Sequence, residues 1–190
     1  MYLGQEYNVI GEWFKIHFTE NAGMAFGLQL GGSYGKLFLS VFRIIAVGFI
    51  AYYLFNLVKK NSPFGLIFSI ALIFAGAVGN ILDSIFYGKI FSESYNEIAQ
   101  FMPANGGYDG WLHGKVVDMF YFPLVEGVLP DWIPFLGGDY FVFFQPVFNL
   151  ADSSITAGVL LIILFQRNFF GEKKQENIIE ENSSNQPMNS

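Results

Sequence analysis

The sequence predicts a mainly α-helical membrane protein, a transmembrane bundle with three spans. Three observations lead there. Of the 190 residues, 53% are hydrophobic and only 14% charged, where a soluble domain carries roughly 25% charge. Three stretches are long and apolar enough to cross a bilayer. The Lys and Arg residues beside those stretches fall in a pattern that fixes a single orientation.

Taken in order, residues 1–36 read as an outer-face segment. Within it, residues 12–19 alternate, with Phe14, Ile16 and Phe18 on one side and Trp13, Lys15, His17 and Thr19 on the other. That is the period of a half-buried strand. Glu20-Asn21-Ala22-Gly23 reads as a turn. Residues 37–58 form the first span. Its 22 residues are interrupted by one charge, Arg43, and would measure about 33 Å, against a hydrocarbon core of ~30 Å.

Residues 59–62 are a short turn carrying Lys59 and Lys60. The second span, 63–86, opens on Ser62-Pro63, read as an N-cap followed by proline at the first helical position. Residues 87–140 form a long outer connection rich in turn chemistry, with Asn105-Gly106-Gly107, Asp109-Gly110 and Gly137-Gly138. The third span falls in 141–167, with Pro146 placed to start the helix, and 168–190 read as a disordered polar tail.

Lys59 and Lys60 follow the first span, and Arg167, Lys173 and Lys174 follow the third. The positive-inside rule puts both sites in the cytoplasm, so 1–36 and 87–140 lie outside. An exported N-terminal segment needs an export signal, and none precedes residue 36. The sequence therefore predicts a truncated or misassigned start, with a further transmembrane segment ahead of it.

Composition also excludes. No basic cluster has the density a phosphate backbone demands, so nucleic acid is not an expected partner. With no cysteine there is no disulfide, thiol nucleophile or thiolate metal site. His17 and His113 lack metal-site spacing, and no metal is expected. Serine chemistry is disfavoured, because Ser153 and Ser154 have no Lys or His in their span to act as base and no GxSxG is present.

The informative residues are acids inside the spans. A carboxylate there costs roughly 2.5–3.5 kcal/mol on insertion scales and is a functional hypothesis by default. Asn80-Ile81-Leu82-Asp83 and Asn149-Leu150-Ala151-Asp152 repeat one pattern, and i, i+3 spacing puts amide and acid on one helical face. Asp83 falls ~30 Å beyond Pro63 and Asp152 ~9 Å inside Pro146, so both gather at the outer boundary. Asp118, in Val116-Val117-Asp118-Met119-Phe120, would alone pass for a loop or cap residue. Beside Asp152 it suggests a carboxylate pair that activates a water, one acid and one base. Gly76 and Gly79, with Ala75 and Ala77, offer a small-residue surface for close helix packing.

Four ordered blocks then resemble the motif blocks of the lipoprotein signal peptidases (signal peptidase II). They are Asn21-Ala22-Gly23-Met24-Ala25-Phe26-Gly27, Gly76 through Asp83, Val116-Val117-Asp118, and Phe148 through Ser153. The resemblance covers about residues 8–165. It implies a bacterial inner-membrane aspartyl peptidase with four transmembrane helices and a small outer-face β-cradle, its active site facing the periplasm. Such an enzyme cleaves diacylglyceryl-modified prolipoproteins just before the lipidated cysteine.

By motif position, Asp118 and Asp152 match the catalytic aspartates. Asn21, Asn80, Asp83 and Asn149 match site-lining residues, and Gly23 lies in a turn over the substrate. Residues 12–19 resemble an edge of the β-cradle, and 131–136 a periplasmic helical flap. The resemblance implies no cofactor. The expected partners are the prolipoprotein substrate and membrane lipids, and the expected state is a monomer.

The chain departs from the family pattern in three ways. The family's first helix has no counterpart among the predicted spans. Ser84 stands where the family usually has Arg, and Arg43 is the candidate to supply that charge, with snorkelling to lipid phosphate as the alternative. The 34 residues between Asp83 and Asp118 exceed the usual connection. Two other functions fit parts of the pattern: a small ion- or proton-coupled transporter built on Asp83 and Asp152, and an inactive relative that only binds lipoproteins.

Overall fold

The computed structural model describes residues 1–21 and 32–184. The elements run β1 (Glu6–Ile10), β2 (Phe14–Asn21), α1 (Gly32–Lys59), α2 (Phe64–Ile90), β3 (Val116–Tyr121), β4 (Val125–Val128), β5 (Tyr140–Phe143), β6 (Val147–Phe148) and α3 (Leu150–Ser184). Among the described residues, three helices are long and apolar enough to cross a membrane: Tyr34–Lys59, Phe64–Ile90 and Leu150–Phe169. Phe38, Phe42, Phe49 and Tyr52 of α1 are exposed, which suits a helix whose surroundings are lipid chains. The chain is a helical membrane protein with a small sheet.

α2 and α3 pack closely because small residues let their backbones meet. A Cβ on Gly76 would lie 2.3 Å from the Ala151 carbonyl oxygen, and one on Gly158 would lie 2.5 Å from that of Ser69. Ser154 Oγ donates to the Leu72 carbonyl across the same interface, 2.8 Å away.

The turn between α1 and α2 is set by a left-handed residue. Asn61 has φ +49°. Ser62 N donates to Leu57 O at 3.0 Å and Asn61 N to Val58 O at 3.1 Å, the two bonds of a Schellman ending. This corrects the expected role of Ser62, whose backbone finishes α1 instead of capping α2. Pro63 occupies the N-cap position with no side-chain cap, and the Ser62 hydroxyl is buried without a partner.

Four strands form an antiparallel sheet in the order β1-β2-β3-β6. The expected strand at 12–19 is β2, but it runs on through Glu20 and Asn21, which pair with Val117 and Val116; Ala22 and Gly23 of the expected turn lie outside the described residues. The β2–β3 register slips between Ile16 and Thr19, a bulge that sets Thr19 opposite Asp118.

Several boundaries move. α1 starts before residue 37 and α2 continues to Ile90, past the expected end at 86. The third helix does not start near Pro146. Val147 and Phe148 pair with Tyr121 and Phe120, and the helix begins at Leu150. α3 then continues to Ser184 where a disordered tail was expected from 168. Glu, Lys and Gln in 172–181 are strong helix formers, and a helix already nucleated in the span extends cheaply through them. Residues 131–136 are successive turns at the tip of the β4–β5 hairpin and not a helical flap, since Pro130 and Pro134 deny that stretch helical donors.

Candidate active site

Asn149 is the hub. It precedes the first residue of α3, and its Oδ1 accepts from Asp152 N at 2.9 Å, while its own N–H donates to Asp152 Oδ2 at 3.3 Å. These two reciprocal bonds make a capping box, which sets Asp152 in the first turn at the positive end of the helix dipole. The Asn149 amide nitrogen then donates outward, to Asp118 Oδ1 at 2.8 Å, Asn80 Oδ1 at 3.1 Å and Val117 O at 3.3 Å. Asn80 Nδ2 closes the circuit by donating to Asp152 Oδ1 at 2.8 Å.

The structure thus brings Asp118, Asp152, Asn80 and Asn149 into one network, with the two carboxylates linked through amides. Asp118 is buried, 5% exposed, and Asn21 also hydrogen-bonds it from the neighbouring strand. Burial, and then the charge of Asp152, push the Asp118 carboxyl up to about 6. Asp83 accepts from Val117 N at 3.3 Å and from the Tyr87 hydroxyl, so it braces β3 beside Asp118. Its group lines an adjoining cavity of about 460 Å³ with Gly79, Asn80, Met119 and Asn149. A second apolar cavity, about 480 Å³, lies on the other side of Asp152 against Phe144, Phe148 and Leu160.

Gly23 lies outside the described residues. Arg43 lines a cavity with Asn80 and Ile155, and the negative charge of Asp152 attracts it. Ser84 is buried, donates to Asn80 O at 3.0 Å, and accepts at its own carbonyl from Gly114 N at 2.8 Å. A Cβ on Gly114 would stand 2.2 Å from the Asp83 carbonyl oxygen, so the long connection runs directly over this turn of α2. Among the described residues no group of three or more His, Asp or Glu is arranged to hold a metal ion.

Sequence reasoning missed Tyr87 as the Asp83 donor, although i, i+4 spacing on a helix carries that signal. It also took both Asn-x-x-Asp repeats for mid-helix faces. In α2 that is right; in α3 the same four letters are the helix start.

A profile of the signal peptidase (SPase) II family matches residues 1–167. A lipoprotein signal peptidase of Porphyromonas gingivalis (strain ATCC 33277) is 57% identical over 165 residues, 86% of this chain and 71% of the relative. One from Amoebophilus asiaticus is 46% identical over 166 residues, covering 87% and 66%. A bacterial membrane enzyme solved in meso at 1.9 Å is similar with TM-score 0.52 at 26% identity, over 86% of this chain and 76% of that one. Another, at 2.3 Å, shares the fold with TM-score 0.52 at 22% identity, over 100% of this chain and 80% of that one.

Proposed function

The chain belongs to the signal peptidase II family, and on that premise we propose that it is an aspartic endopeptidase that removes the signal peptide of diacylglyceryl-modified prolipoproteins, cleaving before the lipidated cysteine. The observation that carries the aspartic assignment is the Asn149 link: one side chain donates to Asp118 while its backbone N–H donates to Asp152. Two carboxylates held that close share protons unequally.

In this reading Asp152, at the positive end of α3, is the base and Asp118 the acid. Asp152 takes a proton from water, the hydroxide adds to the scissile carbonyl, and Asp118 gives its proton to the developing oxyanion. The tetrahedral species then collapses: one hydroxyl proton returns to Asp118 as the carbonyl reforms, the C–N bond breaks, and the proton held by Asp152 passes to the leaving amine. Asn80, Asn149 and Asn21 hold the carboxylates in place, Asp83 fixes β3, and Gly23 closes over the substrate. Arg43 supplies positive charge near Asp152.

Orientation has its own support. Lys59 and Lys60 precede Phe64 by a few residues, and Asp83 lies 19 residues into α2, about 28 Å away. Arg167 follows Asp152 by 15 residues, about 22 Å. The dyad is therefore at the end opposite the cations, which positive-inside logic puts on the periplasmic side of the inner membrane. The enzyme acts as a monomer on a substrate delivered by the surrounding lipid.

A gel-shift assay on lipidated prolipoprotein tests the proposal. Cleavage by the protein and none by Asp118→Asn or Asp152→Asn, each correctly folded, is the expected result. Retained cleavage by either variant overturns the dyad. Binding without cleavage by the unaltered protein would leave a lipoprotein-binding relative.

A further inference from the structure

The hairpin built by β4 and β5 is apolar where none of the described residues covers it. Among the described residues its strands pair only with each other, Val125 with Phe143 through Val128 with Tyr140, and its eleven-residue connection is closed by Leu129 N to Asp139 O and Gly138 N to Leu129 O, both 2.9 Å. The tip is therefore a defined structure, and it presents large side chains outward: Trp132 is 80% exposed and Phe135 fully exposed. Phe135 is held there at φ +67°, a conformation a bulky residue rarely adopts. Val128 and Tyr140, at the tip end of the strands, are also exposed.

We propose that this hairpin lies on the bilayer and seats Trp132, Phe135 and Leu136 in the headgroup–acyl boundary of neutral phospholipid in the leaflet nearest the dyad. Two observations choose lipid as the occupant. The hairpin is rooted where the membrane begins. β5 leads through β6 directly into Leu150, which opens a span, and its base joins a ring cluster of Phe122, which follows β3, Phe144, which follows β5, and Phe148 of β6. An apolar patch at that level, tipped with an aromatic belt residue, meets lipid before it meets anything else. Charge then narrows the lipid. Between Lys115 and Arg167 there is no Lys, Arg or His, while the hairpin carries Glu126, Asp131 and Asp139. Anionic headgroups would be repelled, so the contact is hydrophobic and suits zwitterionic lipid. The inference rests on the three spans and not on the chemistry of the dyad.

The chain supplies its own probes. Trp13→Phe with Trp111→Phe leaves Trp132 as the single tryptophan of three, and a chain without cysteine accepts one label at Phe135→Cys. With the protein reconstituted in phosphatidylcholine vesicles, bromine on the upper acyl chain should quench Trp132 emission more than deep bromine, and aqueous iodide should quench it little. A nitroxide at position 135 should meet oxygen more readily than a water-soluble nickel complex. Quenching by iodide with none by bromolipid overturns the proposal. So does protection from both that grows with protein density, since a second copy would then be the cover. The spin-label measurement decides the matter if the double Trp variant fails to fold.

Discussion

Asn149 does two jobs with separate atoms, and two substitutions pull them apart. Its Oδ1 caps α3 and its Nδ2 holds Asp118 and Asn80. Asn149→Ala removes both. Asn149→Ser keeps a hydroxyl able to cap α3 but too short to reach Asp118. Loss of an N-cap costs about 0.5–2 kcal/mol, so Asn149→Ala should melt a few degrees below Asn149→Ser in detergent, at roughly 2–4 °C per kcal/mol. A hydrogen bond to a charged group contributes about 1.5–3 kcal/mol. If it orients the dyad in the transition state, both variants should lose about 10- to 150-fold in kcat/KM on lipidated prolipoprotein. A third readout separates orientation from general damage. The Asn149 bond holds the Asp118 carboxyl down against burial and the charge of Asp152, so both variants should move the alkaline limb of the pH–rate profile upward. Wild-type kcat/KM in Asn149→Ser, or equal melting of the two variants, would refute the reasoning.

The unaltered enzyme should itself show that limb near pH 6. The Asp118 carboxyl is raised to about 6, and in the proposed mechanism its protonated form is the acid, so kcat/KM should fall roughly tenfold per pH unit above that value; a flat profile from pH 6 to 8 would remove Asp118 from the acid role. Gly76→Ala should cost about 1–3 kcal/mol by overpacking the α2–α3 interface, because its Cβ meets the Ala151 carbonyl at 2.3 Å, whereas Gly48→Ala, with nothing within 4 Å, should be silent in the same melting assay. Lys115→Met removes the cation from Glu20, whose side chain is 8% exposed and which Lys115 meets at 2.6 Å, leaving it only the Ser94 hydroxyl among the hydrogen bonds described. It should cost about 2–3 kcal/mol, and adding Glu20→Gln should recover most of it; equal melting of single and double variants would contradict the pairing.

What could be read from the letters divides along physical lines. The spans were legible because a 20-residue apolar run is a strong local signal, and Asp83 and Asp152 stood out because charge in such a run needs a reason. The strand containing Asp118 was not, since Val116–Tyr121 is short and its alternation is set by pairing with Lys15–Asn21 almost a hundred residues away. The start of α3 was misplaced for a related reason. Pro146 is a good helix opener on its own, yet Val147 and Phe148 are claimed by β3, and the box at Asn149 and Asp152 takes over as the start signal. The hairpin went unread because its turn spans eleven residues, beyond the two-residue connections that announce themselves in sequence.

The long connection between Asp83 and Asp118 has a structural reason as well. A helix end leaves four carbonyls without partners, and near lipid such groups are costly. α2 ends at Ile90, and the connection returns to meet that end: Asp109 N donates to Gly88 O at 2.8 Å, Met102 N to Ile90 O at 2.7 Å and Tyr108 N to Phe91 O at 2.9 Å. Lys36 and Ser40 of α1 hold the same segment through His113 O and Leu112 O. Gly114 N then takes Ser84 O, Val117 N takes Asp83, and the next residue is Asp118. The backbone that satisfies the end of α2 is therefore the backbone that delivers Asp118. Close approach demands glycine at 107, where a Cβ would stand 2.2 Å from Gly88 O, and at 114 for the same reason. A bulky side chain at position 84 would meet this strap, so Ser84 suits the long connection, which main-chain bonds tie to α2 while the Asp83 carboxylate holds β3.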